Sequence, residues 1–196
     1  RYNTRFKFEY LRREIVSLSL LKKSMPIYSF KDFIPVVHPS SFVHPTAVII
    51  GNVIIGKKVY IGPNSVLRGD WGHILIEDGC NVQENCVIHM FPGTTLHLKS
   101  NAHVGHGAVI HGATLHENCL IGMNSVIMDD AEIGENTIIG ALSMVQSNVK
   151  LPHNCLAVGN PAKVVKELSK EQIDWKTKGT EYYQKLPEDC FNDLNI

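Results

Sequence analysis

Three regularities in the sequence predict an all-β fold, a parallel β-helix of about six coils, closed by a C-terminal α-helical segment. First, an aliphatic residue returns every six positions from Val43, a period that fits neither the 3.6 of a helix nor the 2 of a strand. Second, Gly, Asn and Asp crowd the positions just after it, as in YIGPNS, LIGMNS and EIGENT, and supply a turn after each short strand. Third, the position four after the aliphatic residue is small, as at Ala47, Ser65, Ala102, Ala108, Thr114, Ser125, Ala131, Thr137 and Ser143. Three hexads close one triangular coil, and stacked coils share a continuous apolar interior.

Residues 1–24 are expected to form a basic N-terminal extension, with seven Lys/Arg against two Glu and no Gly or Pro, ahead of a start at Met25. The β-helix domain is placed at 25–162. Its repeat runs through Val43, Ile49, Ile55, Ile61 and Leu67, slips by three residues to Ile76, and continues through Val82 and Ile88. A four-residue insertion then leads to Leu98, Val104 and Ile110, and a one-residue shortening to Leu115, Ile121, Ile127, Ile133, Ile139, Val145 and Leu151. Cys80, Cys86, Cys119 and Cys155 fall on the small position, which makes them buried hydrophobes of a reducing compartment; Cys190 lies outside the repeat. Residues 163–196 are expected to be helical and to pack on the β-helix. Ser169 with Gln172 reads as a capping box opening a helix over about 170–178, Gly179 as its stop, and TEYYQKL as a second short helix ending at Pro187.

Composition narrows the partners. Lys+Arg and Asp+Glu both number 19 in 196 residues, so no overall field favours nucleic acid or an anionic membrane. No apolar run reaches the 18 or so residues of a membrane span. The sequence reads as a cytoplasmic protein with a small-molecule substrate.

The hexads over 42–162, together with LRGDWG at 67, NVQENCVIH at 81, HVGHGAVIHG at 103 and VGNPAKVVKELS at 158, resemble the γ-class carbonic anhydrase family. Within it, MPIY at 25 and WKTKGTEYY at 175 are similar to the phenylacetate-degradation and carnitine-operon accessory proteins. The resemblance covers roughly residues 25–186. It implies a left-handed β-helix, a homotrimer, and a zinc ion, with Fe2+ or Co2+ as alternatives, held by three histidines shared between neighbouring subunits.

The register of the repeat tests that site separately. Leu67, Ile88 and Ile110 occupy one face in successive coils, so Arg68, His89 and His111 form a column with strands about 4.8 Å apart. His106 falls at the preceding corner, too far along the edge to meet His111 within one chain. A third ligand therefore has to come from a neighbour, and a closed ring of three chains provides it. His38, His44, His73, His97, His103, His116 and His153 fit no such column and are left as structural or surface residues.

The resemblance further implies that Gln83 hydrogen-bonds metal-bound water or substrate and that Arg68 and Asp70 form an interface ion pair. Asn81 reads either as orienting that cluster or as an ordinary turn residue. Glu84 lies one coil from His106 in the same register. Three neutral imidazoles and an open position lower the pKa of bound water toward 7, giving a hydroxide that can attack carbon dioxide or another carbonyl carbon. The resemblance implies proton-shuttle acids after RGD and between His89 and His106; here Trp71 stands at the first place and MFPGTTLHLKSNAHVG at the second contains no Asp or Glu, so both are missing. His73 or Glu84 could replace them. The expected function is a zinc-dependent carbonic anhydrase-like enzyme, slow for want of a shuttle. The alternatives are a coenzyme A thioesterase or accessory protein of phenylacetate or carnitine metabolism, and a non-catalytic trimeric scaffold.

Overall fold

The computed structural model describes residues 26–194; the N-terminal extension lies outside them. The chain winds into about seven parallel turns, followed by one helix. The turn beyond the six expected lies ahead of Val43. Ile27–Tyr28 pairs with Ile49 and Ile50, and Val36–Val37 with Ile54 and Ile55, where the hexad is too degenerate to read from sequence.

Each coil has three faces. A histidine face stacks Val66–Leu67, Val87–His89, Val109–His111, Val126–Ile127 and Met144–Val145. A polar face stacks Thr95–Leu98, Thr114–Leu115, Glu132–Ile133 and Lys150–Leu151. A third face runs from Phe42–Val43 through Tyr60–Ile61, Asn81–Val82 and His103–Val104 to Cys155–Gly159. The long strands Val48–Ile55 and Val66–Ile76 cross the corner between the first two faces and join them.

The aliphatic residue of each hexad points inward and is buried, from Ile49, Ile61 and Leu67 to Ile133 and Ile139. The residue three further on adopts a left-handed backbone, as at Asn64, Asn85, Asn118, Asn124, Asn136, Asn148 and Asn154. Asn tolerates that conformation better than other side chains, which is why it recurs there. The next residue is the small one. Cys80, Cys86, Cys119 and Cys155 are buried free thiols, and burial pushes Cys86 up to about 11 and Cys119 up to about 12. Thiols raised in this way stay protonated, and all four cysteines act as packing groups.

The three breaks in the repeat share one corner. The slip at Asp70–Gly72, the insertion at Met90–Thr94 and the shortening at Gly112 all fall where the histidine face turns into the polar face. From Val43 onward, irregular chain is thus concentrated beside His89 and His111.

The C-terminal segment differs from expectation in two respects. Residues 163–167 are strand: Ala162–Glu167 folds back antiparallel on Cys155–Gly159 and closes the end of the third face. One helix, α1, then spans Lys170–Asp193 in place of two, with Gly179 and Pro187 inside it. The capping box forms, Ser169 Oγ accepting from the Gln172 N–H at 3.3 Å and Gln172 Oε1 from the Ser169 N–H at 3.1 Å. Gly179 does not stop the helix because packing overrides propensity. Lys176, Thr180 and Pro187 are buried, and α1 lies on the Phe42–Val43, Tyr60–Ile61 and Asn81–Val82 strands. Among the described residues no helix is long and apolar enough to cross a membrane.

Candidate metal centre

Parallel pairing sets His111 directly opposite His89, because each follows an inward isoleucine in adjacent coils. Their rings lie 5.3 Å apart, and His89 Nδ1 stands 3.3 Å from His111 Nε2. The outer nitrogens are both engaged by carboxylates. His89 Nε2–H donates to Asp70 Oδ1 at 3.1 Å, and His111 Nδ1–H donates to Asp129 Oδ1 at 2.5 Å. In the neutral rings each inner nitrogen is then left with a lone pair, so two acceptors face one another. Burial, and then the guanidinium of Arg68, hold the His89 pKa below the usual histidine range and keep that ring neutral.

Arg68 and Asp70 bracket His89 from one strand. Arg68 Nη1 donates to Asp70 Oδ2 at 3.3 Å, and Arg68 Nη2 lies 3.4 Å from His89 Nδ1. The pair expected at a subunit interface is thus made inside one chain, around the histidine. Trp71 packs on His89 with ring centroids 5.1 Å apart, and Phe91 on His111 at 5.2 Å; both are about half exposed. These two aromatics come from the slip and the insertion.

His106 sits at the other corner of the histidine face, exposed, and its Nδ1–H donates to Glu84 Oε2. Glu84 Oε1 accepts from the Tyr60 hydroxyl at 3.1 Å. Burial alone would raise the Glu84 pKa, but a backbone hydrogen bond and those from His106 and Tyr60 outweigh it and lower the pKa. In the neutral ring the lone pair is then on Nε2, in a side chain 47% exposed. Among the described residues no group of three or more His, Cys, Asp or Glu side chains in one chain is arranged to hold a metal ion. The chain brings His89 and His111 together and keeps His106 apart.

Gln83 and Asn81 belong to a different cluster. Gln83 is 3% exposed, and its amide nitrogen donates to Asn81 Oδ1 at 3.2 Å and to His103 Nε2 at 2.5 Å. Tyr183 of α1 covers His103 edge-on at 5.1 Å, and burial, with Lys176 and His106 nearby, brings the His103 pKa down to about 3. Within one chain Gln83 and Asn81 therefore do not reach the His89/His111 pair. His73 opens the polar face opposite Thr95, and burial, then His97, lower its pKa.

Sequence reasoning missed Asp129, Tyr60 and Phe91. Asp129 carried a legible signal, since it is two residues past Ile127 as Gly112 is two past Ile110, one coil away. Tyr60 and Phe91 carried none, because their contacts depend on how the corner and α1 pack.

Two family patterns match this chain: the bacterial transferase hexapeptide, described as six repeats, over residues 34–69 and 112–147, and the hexapeptide repeat of succinyl-transferase over 52–90. The carnitine operon protein CaiE of Salmonella agona is 44% identical over 171 residues, which cover 87% of this chain and 86% of the relative. The chain belongs to the hexapeptide-repeat family. Within that family it falls with the carnitine operon proteins, of which the Proteus sp. protein is 45% identical over 170 residues, covering 87% of this chain and 86% of its own. Its coils wind left-handed. Among solved hexapeptide structures, a Bacillus cereus protein provisionally named an acetyltransferase is 36% identical, with a TM-score of 0.85 over 88% of this chain and 100% of that one. A hexapeptide transferase family protein from Anaplasma phagocytophilum is 30% identical, with a TM-score of 0.81 over 85% of this chain and 98% of its own.

Proposed function

We propose that the chain is a homotrimeric, metal-dependent enzyme that activates water at subunit interfaces, with carbon dioxide as its substrate. The observation that carries this reading is the pair of acceptor nitrogens of His89 and His111, 3.3 Å apart. Two nitrogens bound at 2.0–2.1 Å to a tetrahedral ion stand roughly 3.3–3.4 Å apart, so the pair fits zinc, and Fe2+ or Co2+ remain alternatives. A cation there would take the lone pair of His111 Nε2 and compete with Arg68 Nη2–H, 3.4 Å away, for that of His89 Nδ1. A zinc ion held there would act as a Lewis acid that makes water nucleophilic near neutral pH.

The third ligand in this reading is His106 of a neighbouring chain. Glu84 takes its Nδ1–H and leaves the lone pair on Nε2 of this exposed side chain. The histidine face supports such a neighbour, for Val66, Val87, Val109, Val126 and Met144 form an unbroken outward apolar ladder beside the histidines, with Met123 and Leu142 exposed at the His106 corner. A closed threefold ring sets each His106 corner against the next His89/His111 pair. Gln83, next in sequence to Glu84, is bonded to Asn81 and His103 within its own chain, so in this reading the two residues brace the corner that carries Glu84.

Thioester hydrolysis is a second reading with its own support. Trp71 and Phe91 present apolar surface at the site, more than carbon dioxide needs, and the relatives are named for the carnitine operon. Together the relatives support an accessory or acyltransferase-like role at the coarser level. Zinc-reconstituted protein should hydrate carbon dioxide, and His111→Ala should lower that rate at least about 100-fold together with zinc content. Zinc-dependent cleavage of a coenzyme A thioester without hydration would transfer the assignment to the second reading. Neither activity, in a trimer, would leave a scaffold.

A further inference from the structure

We infer that Asp129 is a positioning residue for the metal, fixing which nitrogen of His111 faces the site, and that its carboxylate lies in the space left open by Gly112, where the left-handed backbone already favours glycine. The inference rests on the metal reading above and concerns a residue outside the histidine set. Asp129 reaches His111 from the next coil, and its carboxylate is the acceptor for Nδ1–H at 2.5 Å. An imidazole that donates from Nδ1 keeps its lone pair on Nε2, the atom that faces His89 Nδ1. With Nε2 protonated, the same ring would offer His89 a donor, the two histidines would pair with each other, and a cation would have to break that hydrogen bond and shift the proton to enter.

Gly112 supplies the second observation. It directly follows His111, has φ +57, and a Cβ built on it would lie 2.5 Å from Asp129 Oδ1 and 3.4 Å from Asp129 Cα and Cγ. The space a side chain would fill at 112 is occupied by the carboxylate. The shortening of the repeat after Ile110 places that glycine beside the histidine, so an irregularity of the hexads and the carboxylate form one device. Asp70 plays the equivalent part for His89, and Glu84 for His106. Each histidine of the set therefore has its own carboxylate.

The test uses the full chain in its native assembly. Asp129→Ala should bind zinc about 10- to 100-fold more weakly than wild type, as loss of a carboxylate behind a ligand histidine does, and Asp129→Asn by less. Asp130→Asn, exposed and next in sequence, should bind as wild type. In the metal-free protein, 15N NMR of the imidazoles should show His111 protonated at Nδ1 in wild type and moving toward Nε2 in Asp129→Ala, a change that a merely structural role would not produce. Unchanged zinc affinity in Asp129→Ala, or an unchanged His111 tautomer, would overturn the inference alone. Wild-type protein that takes up no zinc would overturn the metal reading and the inference with it.

Discussion

Lys176 shows how far a single side chain departs from its habit in this fold. It is 2% exposed, and its Nζ donates to Asn101 O at 2.9 Å and Asn118 Oδ1 at 2.7 Å. Burial brings its pKa down to about 8 from 10.5. Between those values the unfolded chain holds a proton that the folded chain has released, so stability rises with pH across that window; below about pH 8 the cost of the buried charge stands in full. Comparing urea unfolding of wild type and Lys176→Met at pH 7.5 and pH 10 isolates this residue. Wild type should gain on the order of 2–3 kcal/mol relative to the variant. A gap that does not change with pH would refute the assignment. Gln83 carries a related lesson, for it interrupts a column of Gly62, Gly105, Gly122 and Gly140 on the third face, and its amide is held there by Asn81 and His103.

At the scale of the element, glycine means different things in the helix and in the coils. Gly179 has neither a left-handed backbone nor any atom within 4 Å of a built Cβ, so its only effect within α1 is the entropy it adds to the unfolded chain. Gly179→Ala should raise stability by about 1 kcal/mol, readable as a rise in melting temperature. Gly122→Ala should lower it, since a Cβ there would lie 2.4 Å from Ala141 N and 2.6 Å from Gly140 C in the next coil. Equal effects of the two substitutions would contradict the packing described. The same contrast explains the misread boundary. A stop signal at Gly179 is local, and the burial of Lys176, Thr180 and Pro187 against the solenoid is not.

At the scale of the molecule, the separation of His106 from His89 and His111 makes the assembly part of the chemistry. His106→Ala and His111→Ala trimers should each lose tight zinc at every site. Unfolded together, mixed and refolded, they should recover one complete site per mixed ring, where an intact His106 from one variant meets an intact His89/His111 pair from the other. Bound zinc and hydration rate in mixed trimers of confirmed mass measure the recovery. Its absence would place all ligands in one chain or none.

The sequence by itself determined the solenoid, the inward aliphatic column, the buried cysteines and the stacking of His89 on His111, because each follows from counting residues along a repeat whose coils pair in register. The capping box at Ser169 was legible for the same reason, being a contact three residues long. Tertiary structure alone decided the continuity of α1, the confinement of Gln83 and Asn81 beneath it, and the wall that Trp71 and Phe91 build beside the histidines. It also decided the closure of the Arg68–Asp70 pair around His89. These contacts join positions that no fixed spacing relates: the ends of a helix and a sheet, or loops of unequal length at one corner, whose side chains meet only once the coils are packed.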